Sequence, residues 1–140
     1  YPTHLYTIIE QYDLWKNIVF AGQVSEDNLP KYYSASDFLV HPSFVEAFGL
    51  VIIEAMACGK SALALGIPPL NEIIEDGKTG ILADPTPRSL AEKLSYVVNS
   101  IDEIRKMGIR GRRVVEERYS WDVISDKYLR LYNAVLNRRK

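Results

Sequence analysis

Two carboxylates, Glu46 and Glu54, stand with seven residues between them in the stretch VHPSFVEAFGLVIIEAMACG, and a lone glycine, Gly49, lies in that interval. The stretch opens as an apolar run at Val40, breaks at Pro42 and Ser43, and settles beyond Gly49 into an apolar, alanine-rich segment, an order that reads strand, loop, helix. The first turn of such a helix has free backbone N–H groups and a partial positive charge. The amides near Phe48, Gly49 and Leu50 therefore form a cradle for an anion such as phosphate. Gly49 lets a ligand approach the backbone closely. With Glu46 just before the first turn and Glu54 inside the helix, eight steps of about 1.5 Å separate them by roughly 12 Å. That is too far for an acid/base couple on one bond. The spacing suits the two ends of an elongated ligand, with hydroxyls accepted by each carboxylate and an anion between them. A nucleoside diphosphate sugar has that layout.

The elements that must position this stretch follow the same pattern. FLVH, residues 38–41, reads as a buried strand that delivers Pro42 and Ser43 to a sheet edge, and His41 reads as a packed or turn histidine. Before it, Ser25 to Ser36 reads as a helix with a weak capping box at Ser25 and Asn28, with Pro30 in the first turn and Leu29, Tyr32 and Tyr33 at helical spacing. Leu5 to Tyr12 reads as the end of another helix, leading to a short buried strand, Ile18 to Ala21, that stops at Gly22. Ligands gather at the carboxyl ends of parallel strands, which places Gly22, Gln23 and Val24 where a ligand could lie. After Gly59 and Lys60, SALALG is a third run of strand length, and Asp76-Gly77 and Thr79-Gly80 mark turns around a further short strand, Ile81 to Ala83. From Arg88 onward the pattern is helical. Leu90, Leu94, Val97 and Val98 form one apolar face, Ile101, Ile104 and Met107 another, and Gly108 and Gly111 loosen the stretch that follows. Ser120 caps a last helix whose stripe of Trp121, Ile124, Tyr128, Leu131, Tyr132 and Val135 has the spacing of a core face. Arg138 to Lys140 reads as a solvated helix end. The alternation of these runs predicts an α/β fold built of βαβ units with a parallel sheet.

HPSFVEAFGLVIIEAMACGK resembles the signature of retaining GT-B glycosyltransferases of family four: a Pro-Ser turn, Glu, seven residues, Glu-Ala-Met-Ala, then Gly-Lys. Glu72, Gly77, Thr79 and Gly80 match the family's tail, and YSWDVISDKYLRLY resembles its closing helix, which in the GT-B fold crosses back toward the other domain. The resemblance implies a Rossmann-like parallel sheet flanked by helices, a partial GT-B C-terminal domain with a C-terminal helical segment, over residues 1–140. It implies transfer of a sugar from a nucleotide-diphosphate donor with retention of configuration. Glu46 would then be catalytic, gripping the donor sugar and helping to stabilise charge on its ring. Glu54 would accept both ribose hydroxyls, and the amides of Phe48, Gly49 and Leu50 would face the diphosphate. FAGQV resembles the family's strand-end motif, in which the backbone at Val24 meets the nucleobase. No metal and no cofactor are implied, since neither a His cluster nor Asp-x-Asp occurs.

Two departures qualify the match. Many members carry paired glycines before the Glu at position 72, and this chain has Pro68 and Pro69, which offer no N–H groups to the donor's sugar or distal phosphate. The family's Gly-Arg and Lys-Gly pairs, whose Arg and Lys clasp the diphosphate, have no counterpart here, and neither does the acceptor domain. Losing that clamp forfeits about 1.5 to 3 kcal/mol per charged hydrogen bond. The chain is thus expected to be a fragment or a split subunit, a poor catalyst alone, with about four strands of the family's sheet.

Composition sets the outer bounds. The chain has 140 residues, 47% apolar and 25% charged, with a net charge of −1, which fits a single globular domain and argues against broad electrostatic binding to nucleic acid or membrane. Its single cysteine, Cys58, excludes an internal disulfide and suits a reducing compartment. No apolar run approaches the roughly 18 residues of a membrane span and the N-terminus has no signal-peptide pattern, so a cytoplasmic or cytoplasmic-face location is expected. A contact of Arg138 to Lys140 with anionic lipid has no further support in the sequence. Two other readings remain open beside the glycosyltransferase: a nucleotide-sugar epimerase on the same fold, and a non-catalytic subunit that binds a nucleotide sugar or a partner.

Overall fold

The computed structural model describes residues 3–137. Its centre is a strand, β2 (Ser61–Leu65), with all five residues buried. Side chains alternate across a strand, so Ala62 and Ala64 enter one core cluster while Leu63 and Leu65 enter the other. A strand covered on both faces must be apolar throughout, which is what SALAL supplies. β1 (Phe38–His41) and β3 (Ile81–Ala83) pair with it in parallel, giving the order β1-β2-β3, with Phe38 opposite Ser61 and Leu63 opposite Ile81.

Helices cover both faces. Ile52, Ile53 and Met56 of α3 (Leu50–Ala57) pack with Leu70 and Ile73 of the short α4 (Leu70–Ile73) against the two strand alanines. On the other face, Val97 of α5 (Pro87–Asn99) and Ile104 and Met107 of α6 (Ile101–Arg118) cover Leu63, Leu65, Ile81 and Ala83. α5 begins with Thr86, whose side-chain oxygen accepts the Ser89 amide at 3.2 Å, and Pro87 follows in the first turn. Thr79 is buried and satisfied: its hydroxyl accepts the Glu75 amide at 2.9 Å and its carbonyl accepts the Ser61 hydroxyl at 3.4 Å. The remaining helices are α1 (Thr3–Gln11), α2 (Leu29–Ala35) and α7 (Trp121–Asn137).

Five expectations are corrected by this arrangement. Ile18 to Ala21 is not a strand, and the sheet has three strands among the described residues. Its backbone is extended at Ile18, but none of the described strands lies beside it to complete a ladder, and Val19 is 91% exposed. Instead the Phe20 ring packs at a tilt against Tyr6 of α1 and Trp15 of a 3-10 turn, at centroid distances of 5.6 and 6.5 Å. Ser25 does not cap α2, whose N-cap is Asn28; the Ser25 hydroxyl accepts the Asn28 side-chain amide at 3.0 Å in the preceding turn. On α5 only Leu90 and Val97 face the core, while Leu94 and Val98 are exposed, because the sheet covers a narrower stripe than the apolar residues span.

Gly108 and Gly111 do not loosen α6, which runs unbroken through both. They are buried contact points: a methyl at Gly108 would overlap the carbonyl oxygen of Gly59, and one at Gly111 would lie 3.0 Å from Met56 Cε. Finally, the stripe on α7 is not core. Ile124 is half-buried, while Trp121, Tyr128, Leu131, Tyr132 and Val135 are exposed. Ser120 does sit at the start of α7, its hydroxyl 3.4 Å from the Val123 amide. Arg138 to Lys140 lie outside the described residues. Among the described residues no helix is long and apolar enough to cross a membrane.

Candidate functional site

β1 delivers His41 to its carboxyl end, and Pro42, with no N–H for a ladder, lets the chain leave the sheet there. The loop that follows folds Glu46 back on itself. One carboxylate oxygen accepts the amides of Ala47 at 2.9 Å and Phe48 at 3.3 Å, and the other lies 2.9 Å from His41 Nε2. The hydrogen bond from His41, then those from the Phe48 and neighbouring amides, holds the Glu46 carboxyl below the usual carboxylate range. An ionised carboxylate only accepts, so His41 Nε2 carries the proton of this contact.

Gly49 turns the loop into α3. It is buried at φ +93°, in the left-handed region that glycine alone adopts freely, and a Cβ there would lie 2.9 Å from Leu70 Cδ2 and 3.0 Å from Ile73 Cδ1. Its carbonyl accepts the amides of Ile52 and Ile53 at 3.0 and 3.3 Å. The amides of Leu50 and Val51 are thus the ones left without intrahelical partners. This narrows the expected cradle: the Phe48 amide belongs to Glu46, and the helix's open end is formed one residue later. That end borders a cavity of about 200 Å³ lined by His41, Glu46 and residues 47–51.

Glu54 lies one helical turn beyond Leu50 and on the same side of α3. It is half-buried, and one of its oxygens accepts the Tyr33 hydroxyl across the α2–α3 interface at 3.0 Å. Burial, then the hydrogen bond to Glu54, pushes the Tyr33 hydroxyl's pKa up, so it stays a donor. A second cavity, of about 360 Å³, opens here between the two helices, lined by Glu26, Leu29, Pro30, Tyr33, Glu54, Ala57 and Cys58. The two acids therefore face neighbouring cavities along one side of α3 instead of a single one. Val24 is half-buried, two residues before Glu26, and lines neither cavity; nor do Pro68 and Pro69. No lysine or arginine lines either cavity, and among the described residues no group of three His, Cys, Asp or Glu could hold a metal ion.

The sequence reading did not assign Tyr33 or His41 to the site. His41 had a local signal, since five residues across a Pro-Ser turn can bring two side chains together. Tyr33 had none, because its contact with Glu54 spans 21 residues.

A parallel α/β sheet with its polar loop chemistry at the carboxyl edge, and a glycine-started helix there, defines the class as a Rossmann-like domain of the GT-B kind. Solved structures agree. Sucrose-phosphate synthase from Thermosynechococcus elongatus superposes with a TM-score of 0.87 at 31% identity, over 96% of this chain and 34% of that one. The C-terminal domain of the group 1 glycosyl transferase LpcC from Francisella tularensis gives 0.76 at 30% identity, over 84% of this chain and 62% of that one. The chain belongs to the glycosyl transferases group 1 family, whose model matches residues 1–114. Among curated relatives, D-inositol 3-phosphate glycosyltransferase of Salinispora tropica is 32% identical over 96% of this chain and 28% of its own length. The chain thus spans about a third or less of the length of the curated relatives it matches.

Proposed function

We propose that this chain is the donor-binding part of a retaining glycosyltransferase that moves a sugar from a nucleotide-diphosphate donor to an acceptor held by a domain or subunit outside this chain. The observation that carries the reading is the open amide end of α3, at Leu50 and Val51, set between Glu46 and Glu54 on one side of the helix. In this reading the amides and helix dipole stabilise charge on the departing diphosphate, the kind of contribution that usually dominates such reactions. Glu46, held ionised by His41 and two amides, grips the donor sugar and opposes positive charge developing on its ring. Glu54 takes the ribose hydroxyls in the cavity beside α2, and the backbone at Val24 borders the nucleobase. No metal or cofactor enters the proposal. Support also comes from a relative: TarM of S. aureus, solved with UDP, superposes with a TM-score of 0.81 at 28% identity over 93% of this chain and 26% of that one. A cytoplasmic location and weak activity of the isolated chain belong to the same proposal.

Calorimetric titration of UDP-, GDP- and ADP-sugars into the protein tests it, repeated with Glu54→Ala. The expected result is binding of one of the three, weakened about tenfold by the substitution, or about 1.4 kcal/mol. Binding indifferent to Glu54→Ala would remove Glu54 from the site. Transfer should appear when the acceptor domain is supplied; donor epimerisation or hydrolysis without any acceptor would favour the epimerase reading instead.

A further inference from the structure

We propose that Tyr33 is a positioning residue for Glu54, fixing its carboxylate so that the cavity between α2 and α3 prefers a ribonucleotide to a 2′-deoxyribonucleotide. The inference rests on the donor-binding reading and adds to it a residue on another helix that sets the selectivity of the nucleoside end.

A glutamate on an exposed helix face has several rotamers, and a ligand that uses it must restrict them on binding. Here the Tyr33 hydroxyl, donating at 3.0 Å to one Glu54 oxygen, restricts them in the free protein. The phenol takes one of the carboxylate's roughly four acceptor sites. Among the described residues no other hydrogen bond to this side chain is present, so its second oxygen is open to a diol. The cavity volume, about 360 Å³, falls within the range of small-molecule sites. Leu29, Pro30 and Ala57 give it apolar walls, and Pro30 has no N–H to compete with Tyr33 for the carboxylate. Burial keeps the phenol protonated, which makes it a donor and never a second anion beside Glu54.

A tyrosine that only satisfied a half-buried acid would, when removed, disturb ribo- and deoxyribonucleotides alike. A positioning tyrosine acts through the hydroxyls that Glu54 receives. The test is calorimetric titration of the whole chain with UDP and with 2′-deoxy-UDP, before and after Tyr33→Phe and Glu54→Gln, with thermal melting of each variant. Tyr33→Phe should melt as a folded protein, weaken UDP about three- to tenfold and weaken 2′-deoxy-UDP, which keeps only the 3′-hydroxyl for Glu54, by a smaller factor, so that the preference for UDP narrows. Glu54→Gln should remove the discrimination, and adding Tyr33→Phe to it should change nothing more. Equal weakening of both nucleotides by Tyr33→Phe, or unchanged UDP binding where Glu54→Gln lowers it, overturns the role of Tyr33 and leaves the donor site standing. If the unaltered chain binds none of UDP, GDP and ADP, the donor reading falls and this inference with it.

Discussion

Gly49 carries a double constraint: its φ of +93° disfavours any side chain, and Leu70 and Ile73 fill the space a Cβ would need. Gly49→Ala should therefore cost about 1 to 3 kcal/mol in urea denaturation and weaken nucleotide binding by shifting the Leu50 and Val51 amides. Glu46 makes a pH prediction. Its folded pKa lies below the unfolded one, so its contribution to stability is present above the ordinary glutamate value of about 4.3 and is lost as pH falls through the folded value. Glu46→Gln removes that contribution. Melting temperatures taken from about pH 6 down to about pH 3 should fall less steeply in the variant than in the unaltered chain.

At the scale of elements, the seat of α6 on the sheet depends on the absence of side chains at two positions. Gly108 meets backbone, the Gly59 carbonyl and the Ser61 amide, which cannot move without moving the start of β2. Gly111 meets the end of the flexible Met56 side chain. Gly108→Ala should cost about 3 kcal/mol and Gly111→Ala less than about 1 kcal/mol, a contrast that urea denaturation would resolve. α5 depends on its cap: Thr86→Ala should cost about 1 kcal/mol by the same measurement. α3 serves two purposes at once. Its buried face of Ile52, Ile53 and Met56 holds it on β2, and its other side carries Leu50, Glu54 and Ala57 along the two cavities. Packing in the core thus fixes the axis along which the candidate ligand groups are spaced.

Over the whole molecule, the two core clusters draw on the sheet, the helices α3 to α6 and Ile74 just after α4, and Ile9 of α1 is buried as well, while α7 leaves most of its apolar stripe exposed. Leu131 is 57% and Val135 47% exposed, so replacing both with lysine should change unfolding free energy by no more than about 0.5 kcal/mol each. A larger loss in urea denaturation would place those residues in a core that the structure does not show.

Residue order alone determined the strand-loop-helix motif, strands at 38–41, within SALALG and at 81–83, and the family, but not the burial of the first of these strands, where Val40 is exposed and the other residues are half-buried. Each of these depends on local periodicity, turn chemistry or a contiguous motif, and local signals survive in a linear reading. What tertiary structure decided concerns surfaces that meet only after folding. The Phe48 amide goes to Glu46 because the loop turns back toward His41, and Tyr33 reaches Glu54 because two helices pack side by side. Two buried glycines become contact points because a helix crosses a loop, residues 18–21 form no strand because no described strand lies beside them, and most of the stripe on α7 is solvent-facing because no described element packs over it. An apolar stripe states which face of a helix can be buried; only the neighbours decide whether it is.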